Sequence, residues 1–134
     1  MKILLDTQVF LWAITDDRRL SKAHRAAYLE PANELYLSVA SIWEMLIKCG
    51  LGKLPLPRPA AAYIDKQMER NRVAMLAIRA GHLAELERLP PIHRDPFDRM
   101  LVAQAAGRGD AHAVGGFDDG ELRGQGFVTS SMAA

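Results

Sequence analysis

Acidic side chains in three separate segments are the residues whose type and spacing point to chemistry. Asp6 follows a short apolar run and Glu44 lies in an apolar stretch, while Asp95 and Asp98 are three residues apart in a later segment. Carboxylates gathered in one crevice repel one another unless a cation offsets their charge. Mg²⁺ prefers oxygen ligands and keeps several waters, and a bound metal activates water for attack on a phosphate. The set is therefore typical of metal-assisted phosphodiester cleavage.

Each acid also has an ordinary structural explanation. Aspartate is a favoured N-cap residue, so Asp6 and Asp95 can each begin a helix, with Asp98 in a first turn where the helix dipole favours acids. Glu44 can form an i,i+4 ion pair with Lys48, worth roughly a few tenths of a kcal/mol. For any single acid both explanations stay open, and capping does not prevent a carboxylate from also binding a metal.

Other catalytic chemistries have little support in the sequence. The histidines lie in separate segments without paired ligand spacing, and each is expected at the surface; they are His24, His82, His93 and His112. Cys49 is the one cysteine, which excludes a disulfide within this chain and a cysteine-cluster zinc site. The Gly50-Leu51-Gly52 segment lacks the preceding strand and the third glycine of a phosphate-binding loop. The acids remain the main candidates.

Composition predicts one globular domain over residues 1–134. Hydrophobic residues make up 49% and charged residues 25%, close to globular averages. No apolar run approaches the roughly 20 residues of a membrane span, and Asp6 interrupts the first run too early for a secretory signal. We therefore expect a cytoplasmic location. Because the net charge is only +1, any contact with nucleic acid must be local.

The acids are positioned by a predicted alternation of short strands and helices. Apolar runs predict strands over 2–5, 35–38 and 73–78, and a weak fourth strand over 111–114. Helices are predicted around 9–12, over 22–30 after the cap Ser21, from Ser38 or Ala40 to about 49, and over 60–70, 79–89 and 95–106. This order predicts an α/β sandwich with a mostly parallel sheet, in which sites gather at the carboxyl ends of strands.

The helix that carries Glu44 is otherwise apolar and is expected to be largely buried. At about 100° per residue, Ser41, Glu44 and Lys48 fall on one narrow stripe. Apolar residues cover most of the remaining surface; they are Val39, Ile42, Trp43, Leu46 and Ile47. The polar stripe would then face a solvated edge or a site.

Three segments resemble, in order and interval, the motifs of VapC-like PIN-domain proteins. They are Leu4-Leu5-Asp6-Thr7-Gln8-Val9-Phe10-Leu11-Trp12, Ser41-Ile42-Trp43-Glu44, and residues 89–105 with their central His93-Arg94-Asp95-Pro96-Phe97-Asp98-Arg99. Each motif is weakly specific alone, whereas the ordered set from residue 2 to about 106 is specific. The resemblance implies a three-layer α/β/α, Rossmann-like PIN domain with its acids at the strand ends.

The resemblance also implies an activity and a metal site. Such proteins are ribonuclease toxins of bacterial type II toxin–antitoxin pairs, which hydrolyse RNA with a metal-activated water and leave a 5′ phosphate and a 3′ hydroxyl. By this likeness Asp6, Glu44 and Asp95 bind one or two Mg²⁺ or Mn²⁺ ions, directly or through water. Asp98 is then a further ligand or orients water.

Supporting roles follow from the same likeness. Thr7 and Ser41 are expected to hydrogen-bond to the metal ligands. Arg99, Arg94 and Lys48 are either contacts to RNA phosphates or ordinary surface charges.

Partners are also implied by the resemblance. The substrate would be structured RNA, often transfer RNA, and a cognate VapB-like antitoxin would block the acidic groove. Homodimers are usual in the family. Trp12 and Trp43 are interpreted mainly as core residues, and an apolar groove for the antitoxin is their alternative use.

The chain departs from the family pattern at two places. Gln8 stands where many relatives carry histidine, and the family's later Thr-x-Asp, which supplies a fourth acid, has no threonine here. Asp119 is the preferred substitute for that acid, and Asp118 is the next. Residues beyond about 107 therefore diverge from the pattern, and a weakened second metal position is one consequence.

Two other functions are compatible with the pattern. A PIN domain that has lost turnover would act as a module that binds RNA or an antitoxin, and the divergent tail motivates this alternative. A phosphoryl-transfer domain with an aspartate nucleophile also begins with an acid at a strand end, but Gln8 stands where its second aspartate would be expected.

Overall fold

A computed structural model describes residues 1–90 and 95–106. The described elements, in chain order, are β1 (Lys2–Leu5), α1 (Thr7–Ile14), α2 (Lys22–Leu29), β2 (Glu34–Ser38), α3 (Val39–Gly50), α4 (Ala60–Arg70), β3 (Val73–Leu76), α5 (Ala80–Arg88) and α6 (Pro96–Ala105). Some sequence-predicted features lie outside the described residues; they are Arg94, His93, His112, the strand over 111–114, Asp118 and Asp119.

The described strands form one parallel sheet with β2 between β1 and β3. Leu5 pairs with Leu37 and Ser38 pairs with Leu76, so the three strands end at the same edge. Helices join and cover the sheet in a three-layer α/β/α arrangement, which confirms the predicted fold class. Asp6 follows β1 directly and therefore lies at that edge.

Side-chain caps explain where several helices begin. Asp6 caps α1, Ser21 caps α2 and Ser38 caps α3, each by accepting a hydrogen bond from a backbone N–H of the first turn. Such caps satisfy amides that have no partner within the helix. These are local interactions, so the sequence patterns located the helix starts to within a residue or two.

The core lies between the sheet and the helices packed on it. Its fully enclosed side chains include residues of β1, α1, β2, α3 and α4; they are Ile3, Leu5, Val9, Phe10, Leu37, Met45 and Ile64. The apolar runs of β1 and β2 are thus buried as predicted. The part of the chain that the structure describes has no helix long and apolar enough to cross a membrane.

The prediction that the apolar surface of α3 is buried was wrong. Trp43 is 60% exposed and Leu46 and Ile47 are also exposed, while Ser41 and Glu44 are buried. Two members of the polar stripe therefore face inward, while Lys48 remains exposed. The physical reason is that Glu44 accepts a hydrogen bond from Thr7 of another segment, so its burial does not leave the carboxylate without a partner.

In β3 and α5 the structure differs from the prediction in the end of the strand and in the burial of two side chains. Strand β3 ends at Leu76 rather than 78, and the Ala77 carbonyl accepts a hydrogen bond of 3.2 Å from the Gln104 side chain instead of extending the sheet. In α5, Leu83 is exposed and His82 is completely buried, so the surface placement predicted for this histidine was wrong. Nδ1 of His82 accepts the Arg79 backbone N–H at 3.0 Å, which makes it part of a helix cap.

Candidate active site

Asp6 occupies the end of β1 in a fully enclosed position, with none of its surface exposed. Its Oδ1 accepts the backbone N–H of Val9 at 2.7 Å, so this carboxylate caps α1. The structure therefore confirms the capping role that the sequence allowed for Asp6. This hydrogen bond engages Oδ1, and capping does not by itself prevent a carboxylate from also binding a metal.

Glu44 is joined to the same corner through Thr7, the residue that follows Asp6. The Thr7 hydroxyl donates to Oε1 of Glu44 at 2.7 Å across 37 positions of sequence. Only 9% of Glu44 is exposed. The structure thus brings the β1–α1 junction and the middle of α3 together, as the resemblance implied.

Lys48 contacts the second oxygen of Glu44. Its Nζ lies 3.0 Å from Oε2, in the i,i+4 arrangement expected on one helix face, and much of the lysine side chain remains exposed. The ammonium group partly neutralises the carboxylate. It also places a partly exposed cation at the rim of the site.

Ser41 lies one helical turn before Glu44 and is 1% exposed. Its hydroxyl has no hydrogen-bond partner among the residues that the structure describes. A buried hydroxyl without a partner costs roughly 1–3 kcal/mol. This hydroxyl is buried, lacks a hydrogen-bond partner and lies on the Glu44 face of α3, so it fits a bound water or ligand there.

Asp95 begins α6, with Pro96 in the first turn. Its Oδ1 accepts the backbone N–H groups of Phe97 at 2.8 Å and Asp98 at 3.3 Å, and the residue is exposed. Asp98 lies half-buried in the first turn of the same helix. Both acids thus adopt the helix-start arrangement that the sequence allowed, at the positive end of the helix dipole.

An aromatic contact connects the start of α6 to α3. The rings of Trp43 and Phe97 have centroids 5.4 Å apart and planes at 78°. Trp43 directly precedes Glu44, and the Phe97 amide is bound by Asp95. The contact therefore holds the Asp95 segment beside the helix that carries Glu44.

The donor types fit a hard divalent cation, because Asp6, Glu44 and Asp95 offer carboxylate oxygens and Ser41 adds a hydroxyl. Within residues 1–90 and 95–106, no three His, Cys, Asp or Glu side chains are grouped closely enough to hold an ion as they stand. Asp6 and Glu44 share one corner through Thr7, whereas the start of the Asp95 helix is joined to α3 by the aromatic pair of Trp43 and Phe97. The acids of the tail, Asp118 and Asp119, lie outside the described residues.

Arg99 makes contacts that the sequence did not suggest. Its guanidinium donates to the carbonyl oxygens of Pro90 at 3.0 Å and Leu86 at 3.3 Å. The Leu86 carbonyl lies in the last turn of α5, where it also accepts the backbone N–H of Leu89, and Pro90 lies just beyond the helix. Arg99 therefore holds α5 against α6. Because its guanidinium is engaged in these hydrogen bonds, it is less available for the contact to an RNA phosphate that the resemblance suggested.

Sequence reasoning missed Phe97 as a site residue and treated Trp43 mainly as core. The signal was present in α3: once Glu44 faces the site, Trp43, about 100° away around the helix, must lie at the edge of that face.

Comparisons with known proteins address the family of the chain. The family model of the PIN domain matches residues 3–120. Over 60 residues the chain is 40% identical to a protein of Mycobacterium tuberculosis (strain ATCC 25618 / H37Rv) named Ribonuclease VapC16, and the aligned stretch covers 45% of this chain. The chain spans 43% of the length of that relative. No solved structure matches the chain significantly.

Proposed function

Because this chain belongs to the PIN-domain family, we propose that it is a metal-dependent endoribonuclease, the toxin of a VapBC-type toxin–antitoxin pair. The observation that carries the proposal is the hydrogen bond between Thr7 and Glu44. It joins the segment of Asp6 to α3 in a corner that is almost closed to solvent. The name of the mycobacterial relative supports ribonuclease chemistry in particular.

In this proposal Asp6, Glu44 and Asp95 hold Mg²⁺ or Mn²⁺, with Asp119 or Asp118 as a fourth acid. A bound divalent ion lowers the pKa of a water and offsets charge on the phosphate. Thr7 keeps Glu44 in place through its hydrogen bond, and the Ser41 hydroxyl binds water or a ligand at the same face.

The reaction is hydrolysis of an RNA phosphodiester, most often in structured RNA such as transfer RNA. The water oxygen forms a bond to phosphorus, and the bond from phosphorus to the 3′ oxygen breaks. That oxygen keeps the electron pair and takes up a proton, so the products carry a 5′ phosphate and a 3′ hydroxyl. Asp98 orients the water, and Lys48 contacts a phosphate near the scissile bond.

A cognate VapB-like antitoxin and a second copy of the chain complete the proposal. Exposed apolar side chains support protein contacts on the α4 side of α3, where Leu46 lines a groove with Cys49, Pro59 and Ala60. Sedimentation equilibrium of the purified chain tests the homodimer, and a monomer at all concentrations would contradict it.

The test of the nuclease is metal-dependent cleavage of transfer RNA. We expect cleavage with Mg²⁺ or Mn²⁺, none with EDTA, and recovery when excess metal is added back. Asp6→Asn protein should be inactive, while Asp65→Asn, which changes an exposed acid of α4, should cleave normally. Cleavage that survives both EDTA and Asp6→Asn would refute the proposal, because a contaminating or metal-free nuclease would explain it.

The ion pair between Lys48 and Glu44 favours a second candidate function. Since the ammonium competes with a metal ion for Glu44 and the tail departs from the family's Thr-x-Asp pattern, the chain would bind RNA or an antitoxin without turnover. Tight RNA binding with no cleavage at millimolar Mg²⁺ or Mn²⁺ would support this binding module over the nuclease.

A further inference from the structure

Gln104 is a polar residue that the fold encloses completely. None of its surface is exposed, and its neighbours in α6, Ala103 and Ala105, are buried as well. Its Nε2 donates to the Ala77 carbonyl at 3.2 Å. Its Oε1 has no hydrogen-bond partner among the residues that the structure describes. The hydrogen-bonding groups of this buried amide are therefore only partly satisfied.

Stability alone does not explain a glutamine at this position. One hydrogen bond adds modestly to the stability of a protein, whereas a buried acceptor without a partner costs at least as much. An apolar side chain of similar length would avoid that cost. A buried polar group can instead serve to fix how one element docks on another. The partner of Gln104 shows which elements its hydrogen bond would fix.

That partner lies at the edge of the sheet where the acids gather. Ala77 directly follows β3, as Asp6 directly follows β1. The three parallel strands end at the same edge, so the Ala77 carbonyl lies at the edge that carries Asp6. Because Gln104 donates to this carbonyl, its hydrogen bond ties α6 to that edge of the sheet.

Helix α6 carries Asp95 at its other end. Its ten residues form a rod about 15 Å long, and Asp95 caps its first turn. Two other contacts join the helix to neighbouring helices: Arg99 binds the last turn of α5, and Phe97 meets Trp43 of α3. Gln104 adds a directional contact to the sheet edge. Sliding or turning α6 would stretch this hydrogen bond, so the position of Asp95 depends on it.

We infer that Gln104 is a positioning residue, whose hydrogen bond to the Ala77 carbonyl sets the place of Asp95 relative to Asp6 and Glu44. This inference rests on the proposed metal-dependent ribonuclease function. A misplacement of about 1 Å caused by a distant substitution can lower a rate by about 100-fold. Gln104 is itself enclosed, so its effect on the chemistry passes through the acid at the start of its helix.

Gln104→Met tests the inference, because methionine has a similar length and no amide. The free energy of unfolding should stay the same or rise, since the unpartnered Oε1 is removed together with the hydrogen bond. Mn²⁺ affinity, measured by isothermal titration, should nevertheless fall about 10-fold. The kcat for transfer RNA cleavage should fall about 10- to 100-fold with little change in KM. A residue that served the fold alone would not separate stability from metal affinity in this way.

A matched control and a double-mutant cycle identify the cause. Gln67→Met makes the same chemical change at a half-buried position of α4 and should leave Mn²⁺ affinity and kcat as in the parent. Asp95→Asn keeps the helix cap but removes the charged ligand. In that background Gln104→Met should cause no further loss of the remaining Mn²⁺ affinity, because both substitutions act on one interaction.

A measurement on the parent chain keeps the inference testable if Gln104→Met does not fold. Linkage between two sites is reciprocal, so metal binding at the acids should also affect the amide of Gln104. In NMR titrations, Mg²⁺ should shift the side-chain amide resonances of Gln104 and leave those of Gln67 in place.

Three outcomes would overturn the inference. They are unchanged Mn²⁺ affinity and kcat in a folded Gln104→Met protein, a loss of affinity that is equally large with and without the Asp95 carboxylate, and Gln104 amide resonances that do not respond to Mg²⁺. The proposed function fails separately. A parent chain that neither binds Mn²⁺ nor cleaves transfer RNA removes the nuclease and the inference together, whereas a parent that does both while Gln104→Met equals it removes the inference alone.

Discussion

The hydroxyl of Thr7 donates a 2.7 Å hydrogen bond to Oε1 of Glu44, which lies 37 residues later in the chain. This bond joins the first turn of α1 to the middle of α3 and satisfies a carboxylate that is nearly closed to solvent. Because Thr7 follows Asp6 directly, the orientation of Glu44 relative to Asp6 depends on it.

Thr7→Val should therefore weaken both stability and activity. Valine keeps the shape of threonine but cannot donate, so a buried carboxylate oxygen loses its partner and the free energy of unfolding falls by about 1–2 kcal/mol. We expect a reduction in kcat for RNA cleavage in addition. Urea unfolding and cleavage kinetics measure the two effects, and Thr7→Ser, which keeps the hydroxyl, is the control. A Thr7→Val protein with unchanged stability would show that the bond contributes nothing in solution.

Substitutions at Asp6 can separate its capping role from its metal role. Asparagine caps helices as well as aspartate, so Asp6→Asn should keep the stability to within about 0.5 kcal/mol, whereas Asp6→Ala should lose about 1 kcal/mol or more. Both should lower kcat/KM by about 100-fold or more, because the loss of one charged metal ligand removes several kcal/mol of transition-state stabilisation. Thermal melts and cleavage rates of the two variants test this together. Full activity of the asparagine variant would exclude Asp6 as a ligand.

Lys48 should compete with a metal ion for Glu44. Lys48→Met removes the ammonium group at 3.0 Å from Oε2, and since a partly exposed ion pair is worth up to about 1 kcal/mol, Mn²⁺ affinity should rise about two- to five-fold. Isothermal titration with Mn²⁺ measures this, with Lys48→Arg as the control that keeps the charge. RNA affinity should fall in the same methionine variant if Lys48 meets a phosphate. Unchanged Mn²⁺ affinity would show that the ion pair does not limit metal binding.

His82 should make the fold sensitive to acid. Burial, with a smaller contribution from the charge of Arg79, lowers the pKa of this imidazole below its usual 6.5. Below about pH 6.5 the unfolded chain then binds more protons than the folded chain, so the free energy of unfolding falls as the pH decreases. Above that range the contribution of the neutral His82 to stability is fully present. Protonation would also prevent Nδ1 from accepting the Arg79 N–H. Urea unfolding between pH 8 and pH 5 should show this slope.

A variant isolates the histidine from other acid-sensitive groups. His82→Gln should flatten the dependence of unfolding free energy on pH between about pH 6.5 and pH 5. Leu83→Ala, which changes the exposed neighbour of His82 on α5, should leave it as in the parent. If the glutamine variant does not fold, NMR titration of the His82 ring in the parent measures the same quantity, and a pKa at or above 6.5 would contradict the prediction.

Local features of the chain could be read without the structure. The starts of α1, α3 and α6 follow from Asp6, Ser38 and Asp95, because each cap is made within three residues of sequence. The sheet strands follow from short apolar runs, although the two central residues of β3 are exposed. The pairing of Asp6 with Glu44 was expected from the family resemblance, since neither residue alone distinguishes a metal ligand from a cap or a surface ion pair.

Burial was harder to predict than secondary structure. The apolar pattern of α3 favoured a buried Trp43, and the polarity of His82 favoured an exposed imidazole, yet the structure has both the other way round. A periodic pattern shows which residues share a face of a helix but not which face meets the core. That choice depends on partners from distant segments, such as Thr7 for Glu44.

The amino-acid order by itself determined the helices, the strands and the acids available for chemistry, because caps, periodicity and residue type act over a few neighbouring positions. Only the tertiary structure decided that Thr7 secures Glu44, that Arg99 binds the end of α5, and that Trp43 stands open beside the acids. These relationships join residues far apart in the chain, and packing of whole elements selects among the partners that each side chain could accept.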